Sequence, residues 1–293
     1  LKAHYYLEKN MVFLVSRSHV FSPNSVQRDE AIYKAVLREL KEQGEEVCCI
    51  SENDLIADPS MLLEADSYGA PKVISMGRDV RTLRILERSE AMGFTVYNAP
   101  SALLAGNRIH IDAVMDEVGL GMKTLGTTTD VANIEKEIGY PLWIKTAETS
   151  TQHIDDVRFI DTRENLLKAL SSFGSKPGNE WILCEHIVGD LIKFYGVEGT
   201  GFFFWMYPTQ KSDFSKYGKE KHNGKPHGYR FSEEILKESL DEAAEALGMY
   251  IYGGDAVVRP DGSIVVVDFN DFPSFASCCR TAAEAIVARV LNA

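Results

Sequence analysis

Apolar and polar positions follow two regimes along this 293-residue chain. Up to about residue 100, short apolar runs take turns with helical stripes. Met11 to Val15 reads as a buried strand. "VQRDEAIYKAVLRELKEQG" reads as an amphipathic helix with Ala31, Ala35, Val36 and Leu40 on its inner face. "EEVCCI", "PKVISM" (Pro71 to Met76) and "FTVYNAP" supply further strands, and "VRTLRILERSEAMG" a second helix ended by Gly93. Strands alternating with helices predict a parallel sheet, so residues 1–100 are expected to form an open α/β domain. Its active face is expected at the carboxyl ends of the strands, which carry Arg17, Ser18 and His19, and then Arg78.

A helix over Asn107 to Leu120 marks the change of regime. Beyond it, "YPLWIKTAE", "VRFIDT", "EWILCEHI", "LIKFYGVEGTGFFFWMYP" and "IYGGDAVVRPDGSIVVVDFN" are strand-like, with hairpin signals such as Pro260-Asp261-Gly262. Helices intervene at "RENLLKALSSF" and "SEEILKESLDEAAEALGM". The pattern predicts an α+β region with antiparallel strands. Thr209 to Tyr229 is polar, rich in lysine and glycine, and aperiodic; such a loop is expected to be functional or disordered.

Composition narrows the classes of function. With 31 Lys and Arg against 43 Asp and Glu, the formal net charge is −12, which argues against nonspecific binding to nucleic acid or anionic membranes. No apolar run reaches membrane-spanning length and the first residues lack a secretory layout, so a cytoplasmic protein is expected. The five cysteines form two adjacent pairs (Cys48 and Cys49, Cys278 and Cys279) and a single Cys184. That spacing fits neither a zinc site nor a disulfide framework, and reduced thiols are expected. Homo-oligomeric assembly is left open.

The chemistry concentrates at "GSIVVVDFNDFPSF". Val265 to Val267 read as a buried strand, and Asp268 and Asn270, two apart, point to one side where it leaves the core. Asp255 lies across the Pro260-Asp261-Gly262 turn, where hairpin pairing can bring it alongside them. Two carboxylates and an amide oxygen suit Mg²⁺, with no His or Cys among them to suggest zinc.

This arrangement resembles the metal-binding end of the ATP-grasp superfamily, and three more segments extend the likeness. In "YPLWIKTAE", Lys145 stands where such proteins carry a lysine that reaches the ATP phosphates. "WILCEHIVGDLIKFYGV" looks like the adenine hinge and the strand after it. There the resemblance implies backbone contacts to adenine from Glu185, His186 and Ile187, ribose binding by Asp190 and phosphate binding by Lys193. Its "VGDLIKFYGV" is especially similar to inositol polyphosphate kinases of that superfamily. In "AGNRIHIDAVM", Arg108 occupies the region of an earlier phosphate contact. The loop "KTAETSTQHIDDV" departs from the family in having no glycine.

The resemblance implies an ATP-grasp fold, α/β plus α+β, behind an N-terminal open parallel (pre-ATP-grasp) domain. The expected boundaries are 1–100 for that domain, 101–180 for the small lobe and 181–293 for the large lobe with the metal site. The implied cofactors are ATP and Mg²⁺, with Mn²⁺ as a substitute. The implied activity is that of a carboxylate–amine ligase forming an acyl phosphate and releasing ADP and phosphate. Its partners would be a small-molecule or peptide carboxylate and an amine acceptor. The alternatives are a small-molecule kinase of the inositol-phosphate type and a nucleotide-binding module without turnover.

Lys145, Lys193, Arg230 and Arg280 are the candidate catalytic cations. Asp255, Asp268 and Asn270 are the candidate metal ligands, and Arg17, Arg78, Tyr229 and Ser274 the candidate substrate contacts. Because an acyl phosphate hydrolyses in water, the 209–229 loop is expected to act as a lid, with Lys211, Lys216, Lys219, Lys221 and Lys225 adding charge. His19 and His153 are weaker candidate bases.

Overall fold

The computed structural model describes residues 11–22, 25–64, 71–148, 154–175, 178–208 and 222–292. The first regime folds as its periodicity predicts. β1 (Met11–Ser16), α1 (Val26–Glu42), β2 (Glu46–Ser51), α2 (Glu52–Ala57), α3 (Ser60–Leu63), β3 (Lys72–Ser75), α4 (Val80–Ala91) and β4 (Thr95–Tyr97) follow one another. The strands form a parallel sheet in the order β2-β1-β3-β4. On α1 the buried stripe is Asp29, Ile32, Val36 and Leu40, while Ala31 is exposed. Alanine carries little pattern information, and the stripe starts one turn earlier because Asp29 is paired with Arg17 at 3.2 Å.

The second regime holds two further sheets. α5 (Pro100–Ala105) and α6 (Arg108–Glu117) lead into β5 (Thr124–Leu125), α7 (Val131–Glu137), β6 (Leu142–Thr146), β7 (Val157–Ile160), α8 (Arg163–Gly174) and β8 (Trp181–Glu185). β9 (Asp190–Val197), β10 (Phe203–Met206), α9 (Glu233–Leu247), β11 (Ile251–Val258), β12 (Ile264–Asp271) and α10 (Cys279–Leu291) complete the chain. One antiparallel sheet runs β5-β8-β6-β7 and the other β10-β9-β11-β12. Sheet membership puts β8 with β5, β6 and β7 in one lobe and β9 in the other. Local sequence marks a strand but not the partner it chooses.

α6 packs on the other lobe, where Ile111, Val114 and Met115 share a core with Leu236 and Leu240 of α9 and Ile192 and Phe194 of β9. A continuous core joins the N-terminal sheet to the last one: Val12, Leu14 and Ile74 pack with Phe272, Phe275, Ala282 and Ile286. Polar ties cross the same seam as well. The buried Asn98 amide donates to Ile251 O at 2.8 Å and accepts from Ile251 N at 2.7 Å, acting as a short strand partner. Lys72 Nζ donates to Val290 O at 2.6 Å near the end of α10. Among the described residues, no helix is long and apolar enough to cross a membrane.

Candidate active site

A cleft of about 360 Å³ opens between the two antiparallel sheets and reaches the carboxyl ends of the parallel one. Three neighbouring strands set its charged floor. Lys193 on β9 stands opposite Asp255 on β11, which stands opposite Asp268 on β12, so the three side chains share one face in a row. Lys193 Nζ donates to Asp255 Oδ1 at 2.7 Å. Asn270, two residues on from Asp268, donates from Nδ2 to Asp268 Oδ2 at 2.8 Å.

The register shifts after Asp255: Ala256 pairs with Val266, leaving Val267 as the extra residue of a bulge. Bulges free ladder groups and re-aim the chain. Here the Val267 carbonyl accepts from Lys145 Nζ at 2.7 Å, joining the two sheets across the cleft. Gly254 is required beside this row, because a Cβ there would collide with the Asp268 carbonyl and the Phe194 ring.

Arg108, at the start of α6, is buried and lies 3.8 Å from Asp268 Oδ1. It also donates to the carbonyls of Thr146 (2.9 Å) and Glu148, which fixes it beside the end of β6. Desolvation raises the Asp268 carboxyl, but Arg108, Lys145, the Asn270 amide and Lys193 outweigh it and hold the group below the usual carboxylate range. The cleft thus keeps Asp268 ionised among three cations, within a chain of net charge −12.

The other end of the cleft is apolar: Met122, Ile187, Leu191 and Val257 line it with the Trp143 ring. Glu185, His186 and Ile187 form the link between the lobes and border this end. The Glu185 and His186 amides donate to Lys123 O (3.0 Å) and Pro141 O (3.3 Å) in the small lobe. Burial, with His222 nearby, holds the His186 imidazole below its usual value, and its Nδ1 accepts from Trp143 Nε1 at 3.2 Å.

The chain has the ATP-grasp fold. No family model matches it, and no curated protein does; the likeness is to solved structures. A RimK domain ATP-grasp protein from Sphaerobacter thermophilus is 16% identical, with 96% of this chain and 99% of that one covered at a TM-score of 0.63. D-alanine–D-alanine ligase from Bacillus anthracis, complexed with ATP, is 13% identical, with 97% and 96% covered at 0.64. The ATP-grasp ligase PsnB, complexed with precursor peptide PsnA2 and AMPPNP, is 16% identical, with 97% and 98% covered at 0.62.

Within the ATP-grasp fold the structure sorts the sequence candidates. Lys145, Lys193, Arg108, Glu185, His186, Ile187, Asp255, Asp268 and Asn270 line one cleft, as do Arg17, Arg78 and Ser274 at its N-terminal end. Other candidates lie elsewhere. Arg280 is 91% exposed on α10 and pairs with Glu284 at 2.9 Å. Arg230 is exposed and does not line the cleft. Tyr229 packs on the α9 core with its ring stacked on His227.

Asp190 is buried, and its carboxylate accepts from the backbone amides of His227 (2.6 Å), Gly228 (2.7 Å) and Tyr229 (2.9 Å). It anchors the chain rather than presenting itself to a ribose. Arg17 is likewise engaged internally: Nε donates to Met76 O, Nη1 to Asp29 and Nη2 to Phe272 O, at 3.0, 3.2 and 2.8 Å. Arg78 holds Asp271 through Nη2, and among the described residues its buried Nε has no partner. His153 and residues 209–221, with the lysines expected of a lid, lie outside the described residues.

Trp143, Arg28 and Asn223 also line the cleft and escaped the sequence reading. For Trp143 the signal existed, since it is two residues before Lys145 on one strand and must share its face. Glu52 escaped too: fully buried at the start of α2, it accepts from Ser18 N (2.6 Å), Arg78 N (2.6 Å) and Asp79 N (2.7 Å). It thereby fixes both N-terminal loops that reach the cleft.

Asp190 has a pH consequence. Burial raises its carboxyl, but the His227, Tyr229 and Gly228 amides and the His227 ring outweigh that and lower it. A lowered folded value contributes stability present above the unfolded value, about 3.9, and lost as pH falls through the folded value. Thermal unfolding against pH is expected to lose this component below about pH 4. Asp190→Asn is expected to be less stable at neutral pH and to lack that part of the acid limb. An acid limb identical in the variant would refute the assignment.

Proposed function

We propose that the chain is an ATP-dependent carboxylate–amine ligase that activates its carboxylate as an acyl phosphate. The observation that carries this reading is the row Lys193–Asp255–Asp268, faced by Lys145 across the cleft, with an apolar slot at one end. A flat base fits the slot and a polyphosphate the cations. Among the described residues, no group of three or more His, Cys, Asp or Glu is placed to hold a metal. Asp255, Asp268 and Asn270 instead offer only oxygen donors, a set that fits Mg²⁺ or Mn²⁺ completed by water and phosphate. Bound there, the ion would screen the phosphate oxygens and hold them for in-line transfer.

The chain's own groups divide the remaining work. Lys145 and Arg108 offset charge from the small-lobe side, and Lys193 from the floor. Because the sheets fix these cations beforehand, they stabilise developing charge with little reorganisation. The acceptor enters beside Arg78 and Ser274, where its carboxylate oxygen attacks the γ-phosphorus and ADP departs. An amine then attacks the acyl carbon and phosphate leaves, giving an amide. The peptide bound by PsnB makes a peptide carboxylate one class to include in the test.

The test is incubation with MgATP and pools of metabolites or peptides, with and without hydroxylamine. ADP together with a hydroxamate is the expected result. A stable phosphate ester would replace this reading by the kinase, and ATP binding without turnover by the binding module.

A further inference from the structure

A polar side chain from a distant part of the chain borders the apolar end of the cleft. Asn223 lines the cleft, and its Nδ2 donates to Ile187 O at 3.0 Å. The segment bearing it is fixed on both sides. His222 stacks on Phe159 with ring centroids 4.0 Å apart and meets Trp143 edge-on at 5.3 Å. Further along, the amides of His227, Gly228 and Tyr229 are held by the Asp190 carboxylate.

An asparagine amide has a donor end and an acceptor end. With its NH₂ on the Ile187 carbonyl, the Asn223 side chain has one sense only, and Oδ1 is the end left to accept. Turning the amide over would set Oδ1 against the Ile187 carbonyl oxygen and remove the bond that holds it. We propose that Asn223 determines base specificity: its Oδ1 accepts from the exocyclic 6-amino group of a purine and rejects a 6-oxo purine. This rests on the ATP reading of the cleft and adds to it a selection of adenine over hypoxanthine and guanine by a side chain. A 6-oxo purine would place a carbonyl oxygen against Oδ1, leaving a desolvated acceptor unpaired, which is the costly side of hydrogen-bond recognition.

Titration of the whole chain with MgATP and MgITP tests this, because the two nucleotides differ in the group at purine C6. The wild-type protein is expected to bind ATP about tenfold or more tighter than ITP. Asn223→Ala and Asn223→Ser are expected to compress the ratio below about threefold, mainly by weakening ATP. Melting temperatures close to the wild type's would confirm that the variants fold, and a merely structural role would weaken both nucleotides alike. Equal wild-type affinities, or a ratio unchanged in both variants, would overturn the role of Asn223 and leave the ATP reading standing. Binding of neither nucleotide to the wild type would overturn both.

Discussion

Asp268→Asn is expected to lower ATP turnover by about 10²- to 10³-fold while the protein stays folded. The substitution keeps size and shape but removes the charge at the centre of the row, the charge that Arg108, Lys145 and Lys193 all face. Folding does not hang on it. Arg108 keeps its bonds to the Thr146 and Glu148 carbonyls, Lys145 keeps Val267 O, and a third of the Asp268 side chain is exposed to the cleft. Turnover is read as ADP release under MgATP, with a thermal melt as the control for folding. Turnover within a fewfold of wild type would remove Asp268 from the metal set, and with it the strongest support for the catalytic reading.

That residue was legible in the sequence for a physical reason. Strand alternation puts Asp268 and Asn270 on one side, and the short turn at Pro260-Asp261-Gly262 limits the registers that can face Asp255 to them. Local rules therefore place Asp255, Asp268 and Asn270 together, apart from the bulge at Val267, which shifts the register by one residue. Lys145 was legible in the same way, as the polar end of a buried strand. The open parallel sheet followed from helix–strand alternation alone.

What escaped has long sequence separation in common. Asp190 meets amides 37 to 39 residues later, Asn223 meets Ile187 36 residues earlier, and Arg17 spans 255 residues to Phe272. No periodicity carries such pairings, so a buried arginine at a strand end reads like a substrate-binding one. Arg280 misled in the opposite sense. It was a candidate cation in the sequence, but α10 buries its alanines against α1 and turns Arg280 outward. The acidic total charge was no guide to the site either, because six lysines and arginines line the cleft against four carboxylates, Glu185, Asp255, Asp268 and Asp271.

Arg17→Met separates the two meanings of an arginine at a strand end. Arg17 is almost wholly buried, and each arm of its guanidinium serves a different element: Met76 after β3, Asp29 on α1 and Phe272 after β12. Among the described residues, Asp29 would keep only Ser22, at 2.5 Å, as its side-chain partner. Removing one member of a buried charge pair costs about 3–5 kcal/mol, much of it from the charge left behind. For a chain of this size that loss is expected to lower the melting temperature by about 10 °C. Pairing the change with Asp29→Asn is expected to recover part of the loss, since the orphaned carboxylate disappears with its partner. The affinity for MgATP is expected to change less than about threefold, because Lys145, Lys193 and Arg108 hold their positions without Arg17. A variant as stable as the wild type that demands far more acceptor substrate would return Arg17 to the substrate. The seam between the N-terminal sheet and the last one would then rest on Arg78, Asn98, Lys72 and the apolar core.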